Sequence, residues 1–407
     1  MEVRLGYKKT DIGTIPKDWM VKPISQVAPL QRGFDLPTRD IVPGPFPVVY
    51  SNGVESFHMT AMVKGPGVIT GRSGTLGRVH YVESDYWPHN TSLWVTRFNE
   101  NDPKFIHYLY ESLRFERFAS GSGVPTLNRN DAHSYRIALP ADSDEQRAIA
   151  AALSDVDALL AGLDRLIAKK RDLKQATMQQ LLTGQTRLPG FHGKWGVRRL
   201  GELGSTYGGL SGKAKADFGD GEGRYITFMN VMSNVVIDCE GLERVRIAPN
   251  ESQNRVMCGD LLFNGSSETP EEVAMCSLMT EDVPNLYLNS FCFGFRSRDP
   301  GQANGMFLTY YIRSREGREI IKSLAQGSTR YNLSKSALLD ACIRLPSPSE
   351  QAAIATVLSD MDVELAALEA RRDKTRALKQ GMMQELLTGR TRLVPPGAAQ
   401  APPAMTN

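Results

Sequence analysis

Two long segments of the chain repeat a pattern in which apolar side chains follow one another at alternating steps of four and three residues. In an α-helix this spacing places those side chains on one face, as in helices that pack lengthwise against another helix. In the first segment the positions are Ile149, Leu153, Val156, Leu160, Leu163 and Ile167. In the second segment they are Ile354, Leu358, Met361, Leu365 and Leu368. The pattern predicts one long helix in each segment, with these residues as a hydrophobic seam.

Charged residues interrupt the seam after Ile167 and Leu368, and three further pairs are expected to restore it: Leu173 and Leu378, Met178 and Met383, and Leu181 and Leu386. Proline precedes each segment, and each ends at Leu-Leu-Thr-Gly. The glycine, Gly184 or Gly389, suits the left-handed conformation in which many helices end. A helix of about 40 residues is about 60 Å long.

The two helical segments are copies of one another. Residues 145–188 and 350–393 align without a gap and are identical at about 26 of 44 positions, far beyond chance for unrelated segments. A single amphipathic helix on a globular domain would also show one apolar stripe. The second copy supplies a partner of matching length and pattern, and this favours a pair of helices formed within the chain.

The sequences before the helices are also related, but only at their ends. Trp19 aligns with Trp195 near the start of each, and residues 123–140 align with 329–346 at the end. The middles share little, and the second is longer by about 29 residues. The predicted organisation is a first domain (1–143), a long helix (144–188), a second domain (189–345), a second long helix (346–393) and a Pro-rich tail (394–407) expected to be disordered.

Each domain combines short β-type runs with one later helical pattern. The runs, broken by Gly, Pro and Asn, are residues 47–51, 67–71 and 92–98 in the first domain, and 224–231 and 291–297 in the second. The helical patterns follow at 104–119 and 306–325. The expected fold class is therefore mixed α/β, with two globular domains separated by two long helices and an internal repeat.

Composition narrows the setting in which the protein works. The 407 residues carry a net charge of only +3, so a nucleic-acid-binding protein of this composition would concentrate its cations on one face. The five cysteines form no Cys-x-x-Cys pair and are interpreted as free thiols of a reducing compartment. The N-terminus lacks the apolar core of a signal peptide, and no stretch of about 18 apolar residues occurs. We expect a cytoplasmic protein without a membrane partner.

Three polar loops are candidates for contact with DNA, because Gly-rich turns bring backbone N–H groups close to phosphate while arginine reaches guanine edges. Two of them recur at equivalent places in both domains, and the third lies near the start of the second domain. The candidate residues are Arg72, Ser73, Thr75 and Arg78 with Ser266 and Ser267; Thr126, Asn128 and Arg129 with Thr329, Arg330, Tyr331 and Asn332; and Lys213 and Lys215. Each loop alone is equally typical of a solvated turn.

Other prominent residues are interpreted as structural. Trp19 and Trp195 are expected to anchor the domain cores, as are the tyrosines at 108, 110, 310 and 311, which stand at helical spacing. The acidic pairs Asp155/Asp157 and Asp360/Asp362 lie two residues apart on the predicted helices. They would face different sides, and this argues against a shared metal site.

The sequence contains none of the motifs that would supply catalysis. It has no Asn-Pro-Pro-aromatic or Asp-Pro-Pro-Tyr tetrapeptide of amino-methyltransferases and no G-x-x-x-x-G-K-[ST] phosphate loop. The six histidines form no His-x-x-x-His pair. We expect no catalytic site, bound cofactor or metal in this chain.

In combination, several motifs make the chain resemble the specificity subunits of type I restriction–modification enzymes. They are T-D-I-G-x-I-P-x-D-W (Thr10–Trp19), L-P-x-x-x-x-E-Q before the first helix (Leu139–Gln146) and its shorter counterpart (Leu345–Gln351), together with the repeated E-Q-x-A-I-A and M-Q-x-L-L-T-G-x-T-R-L. The resemblance covers the chain apart from the tail after Leu393.

This resemblance implies a DNA reader that is not itself an enzyme. The two α/β domains would be target-recognition domains, separated by the two long helices, which would form an antiparallel coiled coil in a pseudo-twofold internal repeat. Each domain would read half of a split target on double-stranded DNA, and the coiled coil would set the gap and dock two methyltransferase subunits. S-adenosylmethionine, ATP and Mg²⁺ would belong to partner subunits, including an ATP-dependent translocase–nuclease where one joins. The alternatives left open are a coiled-coil scaffold and the recognition half of a fused methyltransferase or nuclease.

Overall fold

A computed structural model describes residues 4–120 and 125–393. The tail 394–407, predicted to be disordered, lies outside the described residues. The chain folds as two compact units, the first made of Met1–Arg165 and Ala370–Asn407 and the second of Leu166–Glu369. The division cuts both long helices, so each unit holds one globular domain and a part of each helix.

The first unit contains the N-terminal globular domain. Its strands are β1 (Tyr7–Thr10), β2 (Gly13–Pro16), β3 (Trp19–Pro23), β4 (Leu30–Arg32), β5 (Phe46–Tyr50), β6 (Gly53–His58), β7 (Gly67–Gly71), β8 (Val79–Val82), β9 (Trp87–Pro88), β10 (Ser92–Val95), β11 (Ala119–Ser120), β12 (Thr126–Leu127) and β13 (Arg136–Pro140). Its helices are α1 (Ile24–Val27), α2 (Pro103–Leu113), α3 (Arg129–His133) and the start of α4 (Ser143–Leu182).

The second unit repeats this order of elements with insertions. Its strands are β14 (Gly196–Arg199), β15 (Gly204–Gly208), β16 (Phe218–Ile226), β17 (Glu243–Val245), β18 (Leu261–Asn264), β19 (Ser266–Ser267), β20 (Cys276–Leu278), β21 (Leu286–Leu288), β22 (Cys292–Ser297), β23 (Tyr331–Asn332) and β24 (Cys342–Leu345). Its helices are α5 (Leu200–Leu203), α6 (Phe228–Ser233), α7 (Gly305–Arg313), α8 (Arg315–Leu324), α9 (Lys335–Asp340) and the start of α10 (Pro348–Leu386).

Three sheets of the first unit correspond strand for strand to three sheets of the second. A four-stranded antiparallel sheet has the order β4-β10-β7-β8 in the first unit and β15-β22-β18-β20 in the second. A three-stranded sheet, β6-β5-β9 or β17-β16-β21, contains one parallel pair, and a two-stranded ribbon joins β13 to β3 or β24 to β14. The duplication read from the sequence ends therefore extends through the divergent middles.

The sequence pattern was wrong at two places in these domains. The strand expected over 224–231 stops at Ile226, because Thr227 caps α6 by accepting a hydrogen bond from the backbone N–H of Asn230. The helix expected over 306–325 is two helices, since Ser314 ends α7 and its hydroxyl caps α8 at Gly317. In both cases a hydroxyl side chain inside an apolar run starts a new helix.

Each globular core includes the beginning of one long helix and the end of the other. In the first unit Trp19 and the aromatic face of α2 pack with Leu153 of α4 and Leu386 of α10. In the second unit Leu182 of α4 and Leu358 of α10 join the core around Phe307. The predicted seam residues are all buried or half-buried. Leu173 and Leu378 are exposed, so the expectation that they continue the seam was wrong.

The paired repeat motifs explain why a helix start meets a helix end. In the first unit the carboxylate of Glu145, 2% exposed, pairs with Arg392 and accepts a hydrogen bond from Nε1 of Trp19 at 3.2 Å. In the second unit Glu350, 1% exposed, pairs with Arg187. Each pair, here called a Glu–Arg clamp, joins the E-Q motif of one helix to the T-R-L motif beyond the other.

The glutamine of each E-Q motif ties the clamp to its globular domain. In the first unit Gln146 accepts from the backbone N–H of Asp102, the N-cap of α2, at 2.9 Å and donates to the carbonyl of Pro140 at 3.0 Å. In the second unit Gln351 makes the same bonds to Asn304 and Pro346, both at 2.9 Å. The glutamine thus fixes the start of the long helix to the last strand of its domain and to the domain helix α2 or α7.

The glycine of each T-G motif is required by both its conformation and its neighbour. Gly184 and Gly389 have φ of +72° and +70°. A Cβ at Gly389 would lie 2.6 Å from Pro16 and 3.2 Å from Trp19, and one at Gly184 would lie 3.2 Å from Trp195. Glycine therefore lets the tryptophan of each domain close over a helix end.

Replacing Arg187 with methionine is expected to lower the free energy of unfolding of the second unit by more than its control does, because the buried carboxylate of Glu350 loses its partner. Adding Glu350→Gln should recover much of that loss. Hydrogen exchange of second-unit amides across a denaturant series measures both effects. The control is Arg198→Met, whose exposed pair with Glu202 is worth under about 1 kcal/mol. Equal effects of Arg187→Met and Arg198→Met would contradict the role given to the clamp.

Candidate nucleic-acid interface

Three loops of the first unit meet at one end of its four-stranded sheet. The backbone N–H groups of Arg72 and Ser73, just after β7, donate to the carbonyl of Thr91 at 2.8 and 3.1 Å. The N–H of Leu127 donates to the carbonyl of Arg72 at 2.8 Å, and Ser73 forms a β-bridge with Thr126. Residues 71–78, 89–91 and 125–129 together are here called the three-loop platform.

The second unit builds the same platform from residues 264–270, 289–291 and 329–335. Its counterpart bonds run from the N–H of Gly265 to the carbonyl of Phe291 at 2.8 Å, and from the N–H of Leu333 to the carbonyl of Gly265 at 3.1 Å. Strands β19 and β23 pair where the first unit has the Ser73–Thr126 bridge. Because the contacts are made by the main chain, the frame tolerates different side chains in the two units.

The platforms unite two of the loop pairs chosen from sequence. Those pairs were chosen only because they recurred at equivalent places, and in each unit their members lie side by side. Sequence reasoning missed the third loop, at 89–91 and 289–291. Its signal was a short polar turn, His-Asn-Thr or Asn-Ser-Phe, directly before an apolar strand in each domain.

Several predicted cations of the platforms are open to solvent and unpaired. Arg78 and Arg129 in the first unit and Arg330 in the second are exposed, and none forms an ion pair within residues 4–120 and 125–393. Arg72 is half-buried and reaches the carbonyl of Asn90 at 3.4 Å. Unpaired guanidinium groups on such loops are suited to phosphate oxygens or to guanine edges.

The remaining polar candidates have varied surroundings. Ser73 and Thr75 line a shallow depression of about 410 Å³ together with Tyr50, Asn52 and Thr91. Asn128 uses its side-chain oxygen to cap α3, by accepting from the N–H of Asn130 at 3.0 Å. In the second unit Thr329 and Asn332 are exposed and Tyr331 is half-buried.

Three predicted contact residues face inward instead. Lys213 is 7% exposed on its side chain, pairs with Glu251 and donates to the carbonyl of Arg246 at 2.6 Å. Its ammonium group lowers the pKa of Glu251 to about 2. Ser266 and Ser267 are buried in β19, where strand pairing turns them from solvent. All three side chains are thus turned away from solvent and are not presented on the platform surface.

Lys215 remains exposed but stands apart from the platform frame. It begins a short 3-10 turn, Lys215–Asp217, that leads into β16. The hydrogen bonds that hold the platform together do not include this turn in the part of the chain that the structure describes.

The platforms and the residues in contact with them include side chains that sequence reasoning did not select. His89 in the first unit packs at a tilt against Tyr50 with ring centroids 4.2 Å apart, and burial lowers its pKa, so the ring is neutral near pH 7. Asp35 accepts hydrogen bonds from Asn90 and Arg32, and these lower its pKa. In the second unit Phe291 is 64% exposed at the place taken by Thr91 in the first.

Two features are absent from the described residues. No cluster of three or more His, Cys, Asp or Glu side chains with metal-binding geometry occurs among residues 4–120 and 125–393. Within the same ranges no helix has the length and apolar character needed to cross a membrane.

Comparison with known proteins agrees with the duplicated architecture. A family model described as the type I restriction modification DNA specificity domain matches residues 16–169 and, a second time, residues 193–375. The two matches together cover most of the chain, and each includes one globular domain and much of the helix that follows it.

Two related proteins carry specificity-subunit names. The type I restriction enzyme MjaVIII specificity subunit of Methanocaldococcus jannaschii is 25% identical over 309 residues, which are 70% of this chain and 70% of that protein. The putative type I specificity subunit S.MpnORF638P of Mycoplasma pneumoniae is 27% identical over 225 residues, 51% of this chain and 59% of that protein.

Solved structures share the fold at lower sequence identity. The crystal structure of a type I restriction-modification system S subunit from M. genitalium has a TM-score of 0.61 and 15% identity, covering 95% of this chain and 98% of that one. A structure from work on complex assembly and conformational transition of the type I R-M system has a TM-score of 0.54 and 18% identity, covering 93% and 99%. This chain belongs to the family of type I restriction modification DNA specificity domains.

Proposed function

We propose that this protein is the DNA-reading subunit of a type I restriction–modification complex and that each globular domain reads one half of a bipartite target. The observation that carries the proposal is the three-loop platform, formed twice on one backbone frame with different side chains. Affinity for DNA comes largely from phosphate contacts, whereas base edges are read by side chains in the grooves. A constant frame with variable side chains suits that division of labour.

The two platforms differ where contact with bases would matter. At three equivalent positions of the frame, the first unit has Arg72, Thr91 and Arg129. The second unit has Gly265, Phe291 and Lys335 there. Arginine pairs well with guanine, and an aromatic side chain contacts the methyl group of thymine. The proposal therefore expects an asymmetric target whose two halves have different sequences.

The long helices are proposed to form an antiparallel coiled coil that sets the distance between the half-sites. In the first unit Asp157 of α4 pairs with Lys379 of α10. In the second unit Lys170 and Lys174 of α4 pair with Glu364 and Asp362 of α10. From one of these second-unit ion pairs to the next, the residue number increases on α4 and decreases on α10, which supports an antiparallel pair. Equivalent contacts in the two units support a pseudo-twofold repeat.

Catalysis is proposed to reside in other subunits of the complex. Two methyltransferase subunits would bring S-adenosylmethionine, and a translocase–nuclease would bring ATP and Mg²⁺. No residue of this chain is assigned to those groups. Exposed apolar side chains on the long helices offer docking sites for the methyltransferases, for example Leu159 and Leu378 in the first unit and Leu173 and Val363 in the second.

Co-expression with its methyltransferase subunit in an unmodified host is expected to produce N6-methyladenine within one split, asymmetric motif. Sequencing that detects the modified base across the genome measures this directly. The motif should vanish when this chain is omitted. Its absence from a soluble, assembled complex would contradict the proposed function and favour a scaffold without DNA recognition.

The matched control replaces residues 189–345 with the corresponding domain of a relative. One half of the methylated motif should change while the other half and the spacer stay the same. A change in both halves would contradict the assignment of one half-site to each domain.

Insertion of one heptad at equivalent positions of α4 and α10 is expected to lengthen the spacer and leave both half-sites unaltered. A heptad adds about 10 Å to a helix, close to three base-pair steps. The same methylation map gives the result. Insertion in α4 alone serves as the control, because it should misalign the Glu–Arg clamps and abolish methylation. An unchanged spacer after the double insertion would refute the measuring role of the helices.

Arg72→Ala and Arg330→Ala are each expected to weaken binding to the native duplex by about 1–3 kcal/mol and to relax base preference in one half-site only. Competition binding with single-base variants of the target at fixed salt measures both effects. Arg147→Ala is the control, since Arg147 is exposed on the first turn of α4 and pairs with Asp144. Binding indistinguishable from that of Arg147→Ala would remove the residue from the interface.

A further inference from the structure

A buried tyrosine connects each globular domain to both long helices. In the second unit Tyr310 of α7 is 2% exposed, and its hydroxyl donates to Oδ2 of Asp362 on α10 at 2.6 Å. Lys174 of α4 pairs with the same carboxylate, and its Nζ lies 5.4 Å from the centre of the Tyr310 ring. Three side chains in contact, one from each helix, therefore join the domain helix α7 to both long helices.

The first unit contains the same arrangement with the helices exchanged. The hydroxyl of Tyr108 on α2 donates to Oδ2 of Asp157 on α4 at 2.7 Å. Lys379 of α10 lies 2.9 Å from Asp157 and 5.3 Å from the centre of the Tyr108 ring. Even the neighbouring serine recurs, with Ser154 at 3.2 Å and Ser359 at 3.4 Å from the tyrosine hydroxyl.

These Tyr–Asp–Lys clusters are equivalent under the internal repeat. Asp157 and Asp362 occupy matching positions of the two helical copies, and so do Lys174 and Lys379. From their helical spacing, the tyrosines of α2 and α7 were predicted to lie in the domain cores. The sequence did not predict which groups their hydroxyls would bond. Burial, followed by the nearby carboxylate, raises the pKa of Tyr310, so the hydroxyl keeps its proton and remains a donor.

The cluster is a second point of attachment, separate from the Glu–Arg clamp. Asp362 lies twelve residues beyond Glu350 along α10, which is about 18 Å of helix. A domain held only at the clamp could pivot about it. A second attachment at that distance removes the pivot and fixes the angle between the domain and the helices.

A small change in that angle is large on the scale of DNA. A domain of about 140 residues is roughly 35–40 Å across. A rotation of about 5° about the clamp would then shift its far loops by about 3.4 Å, the rise of one base pair. Fixing the angle is therefore equivalent to fixing the spacer to within one base pair.

We propose that the two Tyr–Asp–Lys clusters are positioning sites that hold each recognition domain at one angle to the helix pair and so restrict the target to a single spacer length. This inference rests on the proposed function and adds to it the residues that set spacer tolerance. Tyr108, Asp157 and Lys379 would act for the first half-site, and Tyr310, Asp362 and Lys174 for the second.

The second-unit cluster is the cleaner one to test. In the first unit Lys379 also lies 3.3 Å from Glu111, and its neighbour His107 is kept neutral because burial, with the charge of Lys379, lowers the pKa of that histidine to about 4. For Lys174 the structure records Asp362 as its ion-pair partner among the described residues.

The experiment uses the assembled methyltransferase complex with the full chain. Methylation rates are measured on duplexes that carry the native half-sites and a spacer of native length, one base pair shorter or one longer. The variants are Tyr310→Phe, Lys174→Met and the two combined. The combined variant is expected to lower the ratio of native-spacer to altered-spacer rates by about tenfold, while base preferences within each half-site stay as in the wild type.

Two controls separate positioning from general loss of structure. Tyr311→Phe removes the neighbouring hydroxyl, which bonds to Glu316 inside the domain, and should leave the spacer ratio unchanged. Lys174→Arg keeps the charge and should retain most of the native ratio. Thermal unfolding of each complex shows whether the fold is kept, and Tyr310→Phe alone, lacking one hydroxyl, remains informative if the combined variant is unstable.

The outcomes distinguish this inference from the function on which it rests. A folded Tyr310→Phe/Lys174→Met complex with the wild-type spacer ratio would overturn the positioning role, and so would a variant that alters base preference in the half-sites. A wild-type complex that methylates without a split motif would instead refute the proposed function.

Discussion

The buried carboxylate at the start of each long helix is the constraint on which the rest of the structure depends. Glu145 and Glu350 are almost fully removed from solvent, and an ionised carboxylate in that position requires a partner. In each unit the partner is an arginine from just beyond the end of the other helix. Satisfying the charge therefore brings together a helix start, a helix end and a globular domain, and the adjacent glutamine completes the junction by capping a domain helix.

Duplication of this junction lets one fold carry two different surfaces. The platform frames are held by main-chain hydrogen bonds of nearly equal length in the two units, so their geometry does not depend on which side chains they carry. Arg72 and Thr91 of the first unit correspond to Gly265 and Phe291 of the second, and the same main-chain bonds form with either set of side chains. Rigid frames with free side chains are what a family of readers with many targets requires.

Charge is used differently in the two parts of each unit. On the long helices and at their ends, cations such as Lys174, Arg187 and Arg392 are committed to carboxylates of the same chain. On the platforms, Arg129 and Arg330 are exposed without an ion-pair partner among the described residues. Although the net charge of the chain is only +3, these exposed arginines are available to a polyanion such as DNA.

The sequence by itself determined the repeat, the two long helices with their glycine ends, the mixed α/β class and two of the three platform loops. These features follow from local periodicity, from turn chemistry and from comparison of the chain with itself. Only the tertiary structure decided which residues meet: Glu145 with Arg392, 247 residues apart, and Tyr310 with Asp362 and Lys174. It also turned Lys213, Ser266 and Ser267 inward and brought Phe291 to the surface. A polar side chain shows the same local sequence pattern whether its partner is DNA or a distant residue of the chain. The partner depends on which distant segments come together and on which side chains become buried, and the neighbouring sequence determines neither.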